Sequence, residues 1–268
     1  MLWGEGHLSA GGKSLEYKTY GEKSDGPVIV MLHEGLGSVS LWRDVPDRIA
    51  KATGLPVFAY SRAGYGQSDL ADLPRPLDYM TREAVDVLPE VLDQVGASHY
   101  ILLGHSDGAT IAAEYAGRVS DMRVRGIILI APHFFTEEMG LAEIAKAREA
   151  YEATDLKDKM ARHHRDPDNT FRGWNESWLA PGFKDWNVAE VIDYWRIPCL
   201  AIQGGDDQYG TLAQIEEIET RTYSPADIAV IDGARHAPHL EAPEETLAAI
   251  ADFCDHLETM EAAEPEGV

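Results

Sequence analysis

Short apolar runs alternate with helix-prone segments along most of this 268-residue chain. Six of these runs, each four to eight residues long, read PVIVML, PVFAY, YILL, VRGIILIA, PCLAIQ and DIAVI. Such runs are typical of strands buried on both faces, and strands that alternate with helices form right-handed βαβ units. Two earlier segments, HLSA and SLEYKTYG, flank Ala10-Gly11-Gly12 and predict an antiparallel hairpin. The pattern predicts an α/β fold with a mostly parallel, eight-stranded sheet flanked by helices.

The alternation is interrupted once, between residues 133 and 194, where the chain is charged, helix-prone and rich in aromatic residues. We therefore expect a helical insertion after the sixth strand, close to the carboxyl ends of the strands where open α/β sheets bind ligands. Residues 1–132 and 195–258 are predicted to form the core domain. Residues 259–268 are predicted to be a flexible acidic tail.

The net charge of −23 argues against a nucleic-acid partner, because phosphate contacts require clustered Lys and Arg. The chain lacks an N-terminal signal pattern and an apolar run that could cross a bilayer, so a cytoplasmic protein without a membrane partner is expected. Cys199 and Cys254 lie in apolar surroundings, which predicts buried free thiols. We expect no metal and no cofactor. The oligomeric state stays open, with a homodimer among the alternatives.

The strongest functional signal is GHSDG at residues 104–108, between the apolar run YILL and the small-residue helix ATIAAEYAG. This is the G-x-S-x-G pattern in its strand–turn–helix context, in which a sharp turn exposes the serine at the edge of the sheet. The N–H groups at the start of the following helix then point at the reaction centre. The pattern predicts Ser106 as a catalytic nucleophile. The backbone N–H of Asp107 is predicted as an oxyanion donor.

A serine nucleophile needs a base, and the base needs an acidic partner. His236 follows the late strand IAVI and is favoured as the base over His239, three residues further on. Asp206 and Asp207 both follow the strand LAIQ, and two adjacent carboxylates cannot both face one histidine. We choose Asp207 as the acid, which gives the chain order serine, aspartate, histidine.

These motifs resemble the α/β-hydrolase superfamily over nearly the whole chain. The elbow GHSDG, the acid loop QGGDD, the histidine loop GARHAPHLEAPE and the segment YSRAGYGQS each match its patterns, apart from Ala63 in the last. The resemblance implies that residues 133–194 form a lid over the site. It also implies that HEGLGS, residues 33–38, is the loop that supplies the second oxyanion donor from the backbone N–H of Gly35.

Two residues depart from the superfamily pattern. Glu34 stands where a glycine is usual, and its side chain is expected to point to solvent or pair with Arg43 or Arg62, or else to reach the pocket and bias substrate choice. Asp107 stands where relatives more often have Met. Because a negative charge aimed at an oxyanion would oppose catalysis, we expect the Asp107 carboxylate to point away and to cap or pair.

Candidate pocket residues come mostly from the insertion. Phe171, Trp174 and Trp178 share one helical face, which fits either packing against the core or an aromatic substrate wall. His133, just after the sixth strand, is predicted to line the site. Three weaker candidates for binding a substrate carboxylate are Arg172, His163 and His164.

The predicted function is a serine hydrolase that cleaves a carboxylic ester or lactone of a small, partly hydrophobic substrate. A thioesterase or a C–C bond hydrolase with the same triad is the alternative, although Ala237 stands where C–C hydrolases typically have Trp. Cofactor-free haloperoxidases and lyases also use this triad. Haloalkane dehalogenases and epoxide hydrolases are disfavoured because their nucleophile is an aspartate. The least favoured hypothesis is a non-catalytic ligand receptor with this fold.

Overall fold

The predicted sheet forms with eight strands in the order β1-β2-β4-β3-β5-β6-β7-β8, in a computed structural model that describes residues 1–263. The β1–β2 and β2–β4 pairs are antiparallel, and the other five pairs are parallel. The strands are β1 Glu5–Ala10, β2 Lys13–Tyr20, β3 Val28–Leu32, β4 Val57–Tyr60, β5 Tyr100–His105, β6 Val124–Ile130, β7 Cys199–Gly204 and β8 Ala226–Ile231.

The central strands are buried on both faces, as their continuous apolar sequences predict. Every residue of β3, β4, β5 and β7 is buried. Side chains alternate between the two faces along each strand. Val30 and Leu32 therefore belong to the core on one side of the sheet, while Ile29 and Met31 belong to the core on the other side.

Helices cover both faces and connect the parallel strands. The predicted helix at residues 81–95 begins slightly earlier, and a π-helical turn, Glu83–Val87, separates its two α-helical parts. The α-helices are α1 Val45–Thr53, α2 Tyr79–Arg82, α3 Leu88–Val95, α4 Asp107–Arg118, α5 Glu138–Ala153, α6 Leu156–Met160, α7 Pro167–Trp178, α8 Ala213–Arg221, α9 Pro238–Glu241 and α10 Pro243–Ala263.

The segment between β6 and β7 is helical, with α5, α6, α7 and two 3₁₀ turns, Pro181–Asp185 and Ala189–Tyr194. Helix α7 begins after Asp166, whose side chain accepts a hydrogen bond from the backbone N–H of Asn169. Pro167 occupies the first helical position, where its missing N–H costs nothing. These two signals fix the start of the helix that carries Trp174 and Trp178.

The C-terminal helix is longer than expected. Helix α10 continues through Ala263, so residues 259–263 of the predicted tail are helical. Residues 264–268 of that predicted tail lie outside the described residues. Cys199 and Cys254 are buried and free, as predicted. Within residues 1–263, none of the helices has both the length and the apolar character that a membrane span requires.

Candidate active site

Ser106 occupies the turn between β5 and α4, with φ 53° and ψ −119°. A positive φ is unusual for a non-glycine residue and must be held by the surrounding structure. The turn is so tight that a Cβ on Gly104 would lie 2.2 Å from the carbonyl oxygen of Gly108. A Cβ on Gly108 would lie 2.0 Å from the carbonyl oxygen of Leu32. The two glycines of GHSDG are therefore required by close backbone contacts.

Ser106 begins a chain of two hydrogen bonds. Its Oγ lies 2.9 Å from Nε2 of His236, and Nδ1 of His236 lies 2.8 Å from Oδ2 of Asp207. Asp207 follows β7 and His236 follows β8, and these parallel strands bring their carboxyl ends to one edge of the sheet. The structure thus brings together all three residues that the sequence predicts as the triad.

Asp207 accepts two hydrogen bonds besides the one from His236. Its Oδ2 accepts a hydrogen bond from Nε2 of Gln203 at 2.8 Å, and its Oδ1 accepts one from the backbone N–H of Tyr209 at 2.8 Å. Burial alone would raise the pKa of Asp207, but the hydrogen bond and charge of His236 outweigh burial and lower it. The carboxylate is therefore ionised and fixed in place. Gln203 is not among the site residues predicted from the sequence, where its only signal is a polar side chain in an apolar strand.

Asp206 and His239, the residues not chosen as acid and base, lie in different surroundings. Asp206 is exposed at the surface of the same loop. His239 is buried, and its ring packs 5.4 Å from the Trp42 ring and 4.6 Å from the His105 ring. The choice of Asp207 and His236 over their neighbours agrees with the geometry.

Two backbone N–H groups are free beside Ser106. Among the described residues, neither the N–H of Gly35 nor that of Asp107 donates a hydrogen bond. The loop that carries Gly35 is nevertheless held firmly, because the buried Arg62 guanidinium donates to the carbonyl oxygens of His33 and Glu34. From the other side, Nε2 of His164 donates to the carbonyl oxygen of Leu36 at 3.0 Å. The two free donors are thus kept in fixed positions.

The carboxylate of Asp107 is fully buried and hydrogen-bonded. It accepts from the hydroxyl of Tyr79 at 2.5 Å and from Nε1 of Trp178 at 3.3 Å. Burial raises the pKa of Asp107, against the opposing charges of Arg62 and Arg75 and the hydrogen bonds. The carboxylate is paired, as the oxyanion argument requires.

A cavity of about 240 Å³ lies over Ser106. The core domain and the segment between β6 and β7 both contribute to its wall. The lining residues are Glu34, Gly35, Leu36, Ser106, Asp107, His133, Glu137, Gly140, Ile144, Trp174, Trp178, Tyr209 and His236.

Residues 29–250 match the model of the Alpha/beta hydrolase family. The chain belongs to this family. The match covers the sheet from β3 onward, the Ser106 turn and the loops of Asp207 and His236. The family and its hydrolase fold are therefore established for this chain.

The chain is also similar in sequence to individual proteins. A proline iminopeptidase from Lactobacillus delbrueckii subsp. lactis is 30% identical over 125 residues, which cover 47% of this chain and 42% of that protein. The match therefore spans less than half the length of this curated relative.

Two solved structures of alpha/beta hydrolases superpose over most of the chain. The enol-lactonase from Burkholderia xenovorans LB400 has a TM-score of 0.73 at 19% identity, with 92% of this chain and 99% of that chain covered. A proline iminopeptidase from Mycobacterium smegmatis has a TM-score of 0.73 at 19% identity, with coverage of 96% and 99%. At these identities the likeness concerns the fold.

Four pocket residues predicted from the sequence of this alpha/beta hydrolase line the cavity: Glu34, His133, Trp174 and Trp178. Phe171 shares the helical face of the two tryptophans but stacks on Tyr151, with ring centroids 3.9 Å apart, and is absent from the lining. The lining residues that the sequence analysis missed include Glu137, Ile144 and Tyr209. They come from separate segments, and no local pattern marks them.

The three candidates for binding a substrate carboxylate were wrong. Arg172 is exposed on the outer face of α7. Nδ1 of His163 bonds to the hydroxyl of Ser40 at 3.0 Å. His164 is buried between two backbone groups, and its Nδ1 accepts from the N–H of Gly66 at 3.0 Å. None of the three lines the cavity, because the helix phase and the hydrogen bonds turn them away.

The side chain of Glu34 does not have the partner that was expected for it. Arg62 bonds to the main-chain oxygen of Glu34, the carboxylate of Glu34 lies 3.7 Å from Nδ1 of His105, and Glu34 is one of the residues that line the cavity. The expected side-chain pairing with Arg62 is therefore wrong. The alternative, in which Glu34 reaches the pocket, agrees with the geometry.

Proposed function

We propose that this protein is a serine hydrolase that cleaves a carboxylic ester or lactone through an acyl-enzyme. The observation that carries the proposal is the hydrogen-bonded chain Ser106–His236–Asp207, of which Ser106 and His236 line the cavity. A serine hydroxyl becomes a nucleophile when an adjacent base accepts its proton, and the base works when an acid fixes its tautomer. The membership of the alpha/beta hydrolase family supports the same class of reaction.

The proposed reaction has two half-reactions. Ser106 Oγ attacks the carbonyl carbon and passes its proton to Nε2 of His236, which then protonates the departing alcohol oxygen. In the second half, water attacks the acyl carbon, His236 accepts the proton of the water, and the proton returns to Ser106 Oγ as the acid leaves. Asp207, which accepts from Nδ1–H of His236, stabilises the imidazolium that forms in each half.

The free N–H groups of Gly35 and Asp107 are the proposed oxyanion donors. Charge develops on the carbonyl oxygen in both half-reactions, and a preorganised donor contributes about 3 kcal/mol to stabilising the transition state. Helix α7 and its neighbours between β6 and β7 are the proposed lid. They contribute Trp174 and Trp178 to the cavity wall, which suits a small, partly hydrophobic substrate.

The test is hydrolysis of 4-nitrophenyl esters of increasing acyl length by the wild type and by Ser106→Ala. We expect turnover by the wild type, a loss of at least about 10³-fold in Ser106→Ala, and labelling of Ser106 by a fluorophosphonate. Equal rates for the two proteins on every ester, together with no labelling of Ser106, would overturn the proposal.

The same assay also tests the other reactions that this triad can catalyse, with thioesters, ring-cleavage dienoates and amides as substrates. L-proline 4-nitroanilide belongs in the set because a relative with 30% identity is a proline iminopeptidase. We expect the ester or lactone to have the highest kcat/KM after correction for the uncatalysed rates. A dienoate hydrolysed much faster than any ester would replace the ester assignment by C–C bond hydrolysis.

A further inference from the structure

The cavity over Ser106 is lined by acidic side chains, while Arg62 and Arg75, whose charges act on Asp107, lie outside the lining. Glu34, Asp107 and Glu137 contribute carboxylates, and within residues 1–263 no Lys or Arg lines the cavity. The lining His133 adds no positive charge, because burial and the nearby His236 ring lower the pKa of His133 to about 3. The lining itself therefore contains acidic groups and no Lys or Arg, in a chain whose net charge is −23.

Two of the three carboxylates are already occupied by the protein. Asp107 accepts from Tyr79 and Trp178, as described above. Glu137 accepts from the N–H and the hydroxyl of Thr211 and from the side-chain amide of Gln214. Neither is free to meet a substrate without losing these bonds.

Among the three, Glu34 is the one whose carboxylate accepts no hydrogen bond from the described residues. Its facing group, Nδ1 of His105, is 3.7 Å away, which is too far for a normal hydrogen bond, and its side chain is 32% exposed. Burial opposes its ionisation, but the facing ring of His105 outweighs burial and holds the pKa of Glu34 well below its usual range. Glu34 is therefore a carboxylate anion at neutral pH.

The loop is shaped to seat this carboxylate. A Cβ on Gly37 would lie 2.2 Å from Oε2 of Glu34, so the absence of a side chain at residue 37 leaves the space that the carboxylate occupies. Glu34 directly precedes Gly35, and the Trp174 ring packs directly on Gly35. The carboxylate thus lies against Gly37 and His105, and Glu34 lines the same cavity as Ser106, Trp174 and Trp178. Aromatic faces and a carboxylate together favour cations.

We propose that the cavity selects substrates whose acyl group carries a positive charge and rejects those with a carboxylate, with Glu34 as the specificity-determining residue. The proposal rests on the proposed ester hydrolysis at Ser106. Over a few ångströms in a partly enclosed site, one carboxylate favours a cation over a neutral isostere by about tenfold or more.

The test uses two 4-nitrophenyl esters of the same shape. The 4-(trimethylammonio)butanoate carries a positive charge, and the 5,5-dimethylhexanoate is its neutral isostere; hydrogen glutarate serves as the anionic member. Each kcat/KM is divided by the rate constant of hydroxide hydrolysis to correct for intrinsic reactivity. We expect the wild type to prefer the cationic ester to the neutral one by about tenfold, and to hydrolyse the anionic ester more slowly than both.

Glu34→Gln keeps the shape of the side chain and removes its charge. In this variant the ratio of kcat/KM for the cationic ester to that for the neutral ester should fall to no more than about twofold. The control is Asp206→Asn, which makes the same charge change on an exposed residue outside the cavity and should keep the tenfold preference. Salt should reduce the wild-type preference about two- to threefold, which requires no variant.

The outcomes separate the two proposals. If the neutral ester is hydrolysed by Ser106 but the wild type shows no preference for the cationic ester, the charge proposal is overturned and the hydrolase proposal stands. A preference that Glu34→Gln leaves unchanged also overturns it. If none of the esters is hydrolysed and Ser106 is not labelled, the hydrolase proposal itself fails. Should Glu34→Gln not fold, the wild-type ratio and its salt dependence decide.

Discussion

Nε1 of Trp178 lies 3.3 Å from Oδ1 of Asp107, the residue that follows Ser106 in the chain. The same indole N–H lies 3.1 Å from the hydroxyl of Tyr79, which itself donates to Asp107. These contacts join α7, in the segment between β6 and β7, to the first residue of α4. The buried carboxylate thus ties the segment above the cavity to the turn that holds Ser106.

Trp178→Phe should lower the free energy of unfolding by about 1–3 kcal/mol, because it removes a hydrogen bond to a buried carboxylate and leaves that acceptor short of a partner. Chemical denaturation followed by circular dichroism measures the change. The matched control is Trp186→Phe. Trp186 is half-buried and stacks on Phe183, and within the described chain its Nε1 makes no hydrogen bond. Equal losses in the two variants would show that ring packing, and not the bond to Asp107, sets the stability.

Asp207→Asn should reduce kcat by about 10³–10⁴-fold, because an amide at this position favours the wrong tautomer of His236 and cannot stabilise its cation. Asp206→Asn, the adjacent exposed carboxyl, should stay within about threefold of the wild type. Steady-state kinetics on the best ester of the series measures both. Similar losses in the two variants would contradict the assignment of Asp207 as the acid.

Acidification should destabilise the protein through His164. Its Nδ1 accepts a hydrogen bond from the N–H of Gly66, so the ring must stay neutral, and burial lowers the pKa of His164 to about 4. The unfolded chain has a His pKa near 6.5, so it binds the proton first as the pH falls. Stability is therefore lost between about pH 6.5 and pH 4, by about 3 kcal/mol from this group.

Urea unfolding at several pH values between 7 and 4 measures this loss. His164→Gln cannot take up the proton, so its stability should fall less steeply with pH than that of the wild type. The control is the neighbouring His163→Gln, which removes a half-buried imidazole whose Nδ1 bonds to a side-chain hydroxyl and not to a backbone N–H. Parallel curves for the wild type and His164→Gln would show that other groups account for the acid sensitivity.

Gly35→Ala should reduce kcat/KM by at least about tenfold, because its Cβ would lie 2.2 Å from Nε1 and Cδ1 of Trp174 and one of the two must move. Adding Trp174→Ala makes room for this methyl group. The double variant should therefore lose less activity than the two single variants predict together, which a double-mutant cycle measures. Additive losses would mean that the methyl group disturbs the loop through a contact other than the one with Trp174.

Much of the fold was predictable because its signals are local. The continuous apolar runs predicted the central parallel strands, and GHSDG predicted the tight turn at Ser106, where close backbone contacts admit only glycine on both sides. The end of α10 was not predictable, because composition alone does not show that the helix continues through residues 259–263.

The site was predictable where a motif fixes which loop a residue occupies. Parallel strands bring the loops of Asp207 and His236 to one edge, so strand order and loop position sufficed to choose them. The same reasoning could not decide between solvent and cavity for Arg172, His163 and His164. Their side-chain directions depend on how helices between β6 and β7 pack, and hydrogen bonds from His163 and His164 to a distant hydroxyl and to distant backbone groups fix that packing.

The sequence by itself determined the sheet, the nucleophile turn and the loops that hold the acid and the base, because each depends on residues close together in the chain. Only the tertiary structure decided the surroundings of Glu34 and Asp107. Glu34 faces His105, and Asp107 meets Tyr79 and Trp178, contacts that join residues 28 to 71 positions apart. Such contacts depend on packing between separate elements, which decides whether a carboxylate is occupied by the protein or left free for a substrate.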